Sequence, residues 1–121
     1  MDELVDELAA KAGIDDAVAE QTVGIMLDYL RSEGPPETVQ TLIDGIPGAE
    51  AAIAAARDGN GLSRLMGGGL MAVGTRLMGL GLTITDIQEI ARELFSFGRD
   101  KIGADRMGAI IAGTPGLSHV A

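Results

Sequence analysis

The sequence predicts an all-α fold, a compact helical bundle built from two related multi-helix units. Three observations predict it. The apolar content, 46% of 121 residues, comes from Ala, Leu, Ile, Val and Met, with Tyr29, Phe95 and Phe97 the aromatics and no tryptophan. That mixture suits helices packed through small side chains. Apolar residues recur at helical spacing in runs separated by glycine and proline. One corner also appears twice, as "LIDGIPG" at residues 42–48 and "IIAGTPG" at residues 110–116.

The doubled corner belongs to a longer match. Sliding the chain on itself by 68 residues places Gly13 on Gly81, Arg31 on Arg99, Gly45 on Gly113, Pro47 on Pro115 and Gly48 on Gly116 without a gap. Pairs such as Ile14/Leu82, Met26/Leu94, Tyr29/Phe97 and Leu42/Ile110 agree in type. The expectation is an internal duplication within one globular domain spanning residues 1–121. The first unit covers about 2–56, a glycine-rich joint 57–69, and the second unit about 70–121.

In the first unit, residues 2–12 form a short amphipathic helix with Leu4, Val5, Leu8 and Ala12 on one side. "GIDD" then supplies a glycine beyond the helix end and an aspartate to cap the next helix. Residues 16–33 carry Val18, Thr22, Ile25, Met26 and Tyr29 at helical spacing. "GPPE" breaks that run and starts another helix at Glu37, buried through Val39, Leu42 and Ile43. At the corner, Gly45 is expected to take the left-handed stop conformation, and Pro47 to open a helix over 47–56. Gly45, Pro47, Gly48, Gly113, Pro115 and Gly116 are thus read as structural corners.

The joint "RDGNGLSRLMGGG" at 57–69 holds no calcium loop, because Leu62 and Gly69 stand where carboxylates are needed. Nor does its triple glycine lead to the Gly-Lys-Ser/Thr of a phosphate loop. Residues 65–82 are apolar apart from Arg76, and some 11–16 of them look helical. This stretch is expected to be a buried central helix, with Gly69, Gly74 and Gly79 admitting close contacts and Met66, Met71 and Met78 filling gaps. "TITD" at 83–86 then reads as a capping box ahead of Ile87, Ile90, Ala91, Leu94 and Phe95. Gly113, Thr114 and Pro115 repeat the stop, cap and first turn.

Charge narrows the function classes. Residues 1–50 hold twelve acids against Lys11 and Arg31, a net of −10, while residues 51–121 sum to +1 within a total of −9. Nucleic-acid binding needs a basic face to displace counterions. The bases Arg92, Arg99, Lys101 and Arg106 are interleaved with Glu89, Glu93, Asp100 and Asp105, which reads as a salt-bridged solvated face. No nucleic-acid partner is expected. The acidic start "MDELVDELAA" is the reverse of a signal peptide's basic region and points to the cytoplasm. Absence of cysteine removes disulfides and thiolate chemistry. His119, the one histidine, is the third residue from the end of the sequence, and no serine stands in a nucleophile-elbow context. The acids Asp15, Asp16 and Glu20 serve as caps and solvated faces. Neither catalytic residues, a cofactor nor a metal site is expected, and the protein reads as not an enzyme.

The short N-terminal helix, "IPGAEAAI", the glycine-rich middle and the ending "LGLTITDIQEIARELFSFGRDKIGADRMGAIIAGTPGL" resemble the uncharacterised bacterial VcgC/VcgE-type group of small helical proteins. The resemblance implies an α-helical bacterial protein and brings no catalytic residues. Two functions stay open on the residues. The leading one is a non-catalytic interaction module that self-associates or binds a protein partner, with residues 1–50 as an acidic docking surface. The alternative is a carrier of an apolar ligand or lipid, held between the two units by Met66, Leu70, Met71, Leu77 and Met78. A metal-dependent enzyme using surface acids is the remote third. Membrane contact is not expected.

Overall fold

A computed structural model of the chain describes residues 2–58 and 70–114. The described residues form seven helices and no strand: α1 (Asp2–Ala12), α2 (Asp16–Glu33), α3 (Pro36–Asp44), α4 (Ala49–Asp58), α5 (Leu70–Gly79), α6 (Ile84–Ile102) and α7 (Ala104–Gly113). The all-α expectation holds. No helix among the described residues is long and apolar enough to cross a membrane.

α1 buries Leu4, Val5 and Leu8 and ends where Gly13 turns to φ +68°. Glycine meets no Cβ penalty there. Asp15 stands at the N-cap of α2, but its side chain makes no capping hydrogen bond, so the sequence expectation of a side-chain cap fails. α2 is the axis of the bundle. Its buried residues include Ala19, Val23, Ile25, Leu27 and Leu30, which spread around most of the circumference, and α1, α3, α4 and α5 all pack on it. Thr22 is fully buried within it, and its hydroxyl donates to the Val18 carbonyl at 2.7 Å. That internal bond satisfies the hydroxyl without an outside partner.

The axis of the bundle is therefore not where the sequence places it. Residues 70–79 form a helix on the flank of α2, with Leu77 buried and Met78 half exposed. A Cβ built on Gly74 or Gly79 would meet open space, so these glycines mediate no close contact; Gly69 lies outside the described residues. The close crossing is elsewhere. A Cβ on Gly24 would stand 2.8 Å from the Ala52 carbonyl carbon and nearer still to its oxygen. Absence of a side chain at Gly24 lets the α4 backbone lie directly on α2, sealed by Ala49, Ile53 and Ala56.

The first corner also differs from expectation. Gly45 is right-handed, with φ −78° and ψ −7°, and its amide donates to the carbonyls of Thr41 and Leu42. The positive φ falls at Gly48, +87°. With Pro47 before it and Ala49 N–H donating to the Ile46 carbonyl at 3.1 Å, the "IPGA" segment has the residue pattern of a type II β-turn. Gly48 in that conformation cannot be helical, so α4 begins at Ala49 instead of Pro47. At the second corner Gly113 is the last residue of α7, and a Cβ there would stand 2.9 Å from Pro35 Cδ. Close packing, not positive φ, requires that glycine. Thr114 donates its hydroxyl to the Ile110 carbonyl at 2.6 Å, while Pro115 and Gly116 lie outside the described residues.

The start of α6 is as expected. Thr83 and Asp86 form the reciprocal capping box, each bond 3.1 Å. α6 buries Ile90, Ala91, Leu94 and Phe95 and turns into α7 through Gly103 at φ +91°. The salt-bridged face expected along α6 is not what its acids make: Glu93 reaches across to Lys11 of α1 at 2.8 Å. Lys101 lies over the Phe97 ring at 5.1 Å.

Candidate apolar binding cleft

Three helices that fill the core elsewhere leave a gap where α2, α5 and α6 meet. α2 contributes Met26, Tyr29 and Leu30, side chains three and four positions apart on one face. α5 presents Val73 and Leu77 from the facing side. α6 closes the far wall with Ile84, Ile87, Ala91 and Phe95, another row of helical period. These walls enclose about 340 Å³ and open to solvent on one side, within the range of small-molecule sites. At the cleft, Met78 is 50% and Ile84 61% exposed, high for such large apolar side chains.

Tyr29, Thr75 and Gln88 supply the polar atoms of the lining, and no charged side chain stands among the described lining residues. Burial pushes the Tyr29 phenol above its ordinary 10.0, and the nearby Glu33 carboxylate pushes it the same way. On its other flank α5 borders a second, more polar groove with Glu20 and Gln21 of α2. There the Arg76 guanidinium donates to the Ala56 carbonyl at 2.7 Å, tying α5 to the last turns of α4. Burial lowers the Arg76 pKa, and Asp28 acts against that shift.

Of the groove residues expected from sequence, Leu77 and Met78 line the cleft. Met66 lies outside the described residues, as do the side chains of Leu70 and Met71, which fall in the first turn of α5. Sequence reasoning missed the contribution of α2 and read the α6 row as core alone. The periodic rows were visible, but nothing in a one-dimensional pattern says that two of them face each other across a gap. Asp15 and Asp16 are exposed at the start of α2, and no group of three or more His, Cys, Asp or Glu placed to hold a metal ion occurs among the described residues. His119 lies outside the described residues. No family model, curated protein or solved structure matches the chain.

Proposed function

We propose that the protein is a non-catalytic binding module that takes up a small apolar molecule in the cleft between α2, α5 and α6. The cleft itself carries this reading: about 340 Å³ walled by apolar side chains of three helices, with few polar groups. An open apolar space of this kind gains free energy on filling, roughly 25 cal/mol for each Å² removed from water. Native mass spectrometry of the purified protein, with a denatured control, tests it. A reproducible added mass of a few hundred daltons that is lost on denaturation is the expected result. Bare protein that also fails to retain any added hydrophobic probe would sink the reading.

A second reading draws on Met78 and Ile84. These exposed side chains at the cleft are what a second copy would cover in a homodimer, since large apolar residues at a rim mark contact surfaces. The same spectra separate the two, because a dimer without added mass favours self-association. The resemblance to the VcgC/VcgE-type group adds no site residue to either reading.

The duplication belongs to this proposal as well. Moved by 68 residues, α1, α2 and α3 fall on 70–80, 84–101 and 104–112, against Leu70–Gly79, Ile84–Ile102 and Ala104–Gly113. The positive-φ glycines Gly13 and Gly81 coincide under the same shift. Packing crosses between the halves: α1 lies on α6 as well as on α2, and α5 lies on α2 as well as on α6. Gly45 sits beside Lys101 near the end of α6, and Gly113 beside Pro35 just past α2. Each corner thereby docks on the end of the other half's long helix, which supports the reading of two copies joined around one core. The binding cleft then lies between copies, with α2 from one and α5 and α6 from the other.

A further inference from the structure

We propose that the cleft selects an uncharged apolar molecule and rejects chains that carry a carboxylate. This rests on the binding reading above and assigns the class of ligand. The described walls contain no side chain able to neutralise an anion, and a carboxylate taken out of water needs a paired cation or several donors. The polar side chains of the walls are a phenol, a hydroxyl and an amide, none of which carries a positive charge.

Among the described residues, the cations of the helices around the cleft are directed elsewhere. Arg76 of α5 is spent on the Ala56 carbonyl across the helix from the cleft. Arg31 of α2 pairs with Glu50 and bonds Gln40, and Lys11 pairs with Glu93. Arg92, one turn beyond Gln88 on α6, is exposed and absent from the lining. Among the described residues a negative charge reaches the wall, since the Glu33 carboxylate acts on the Tyr29 hydroxyl in the same direction as its burial. The acidic excess lies in residues 1–50, net −10, the part of the chain that includes α2.

Tyr29 is the single tyrosine and there is no tryptophan, so intrinsic emission reports on this wall alone. Decanol and decanoate, titrated separately at neutral pH and low salt, form the test. The expected result is saturable binding of decanol, decanoate weaker by about tenfold or more, and a Glu33→Gln variant that strengthens decanoate while leaving decanol unchanged. Decanoate binding as tightly as decanol overturns the selectivity but leaves the binding site standing. A ratio unmoved by Glu33→Gln overturns the electrostatic origin of the preference. Failure of both probes to bind sinks the binding reading and this inference with it.

Discussion

α2 meets its neighbours in two opposite ways along its length. Against α4 it gives up a side chain altogether: Gly24 brings the Ala52 backbone into direct contact, and alanines seal the seam. Against α5 and α6 it presents Met26, Tyr29 and Leu30 to other large side chains, and the walls stop short of meeting. Small residues on facing helices allow backbone approach, while large residues on both sides prop helices apart. One helix can thus be both the tightest seam of a core and the wall of its cleft.

Filling the seam should do the most damage. Gly24→Val pushes a branched side chain into the α4 backbone, which cannot move as a flexible side chain would; the variant should lose about 3 kcal/mol or fail to fold, read by urea unfolding. The matching enlargement in the cleft should do no such harm. Ala91→Leu adds volume where space already exists, and its unfolding free energy should stay within about 1 kcal/mol of wild type. Equal destabilisation by both would erase the contrast.

Removing the Thr83 hydroxyl tests whether the cleft wall is held locally. Thr83→Ala breaks the capping box at the start of α6 and should lower stability by about 1 kcal/mol, with the greater loss of amide-exchange protection near Ile84 and Ile87. Uniform loss across α2 and α4 would show that cap and wall are not coupled. Charge on the far side should matter least. Lys11→Ala removes an exposed partner of Glu93, and the thermal midpoint should not move measurably, because exposed pairs contribute little.

Titration of Tyr29 probes the cleft wall by pH. Its phenol is raised above 10.0 by burial and by Glu33. A raised acid is held neutral in the folded state. Its stabilising contribution is therefore full below pH 10.0 and fades as pH rises toward the folded-state value. Absorbance of the single tyrosinate should show that late midpoint, shifted down on unfolding in urea.

The helices were legible because their signals are local. The α2 span, the capping box and the apolar faces of α1, α3 and α6 follow from periodicity and caps that each segment carries by itself. What stayed hidden depends on partners. The apolar stretch at 65–82 looked central because hydropathy measures what a residue avoids and not what covers it, whereas α2, with Asp28 and Glu20 among its residues, is wrapped on most sides. Gly74 and Gly24 are the same letter in helical runs, yet only Gly24 faces a backbone. At the corner, Pro47 and Gly48 were readable as a turn, but a proline suited to a helix start carries the same signal.

Whether the cleft is a binding site comes down to one titration. Decanol is added to wild type and to Ala91→Leu while Tyr29 emission is followed. A binding cleft requires a saturable change in wild type and affinity reduced about tenfold or more in the filled variant, with the two proteins equally stable. Superimposable curves for the two, or no saturable change in wild type, would contradict it.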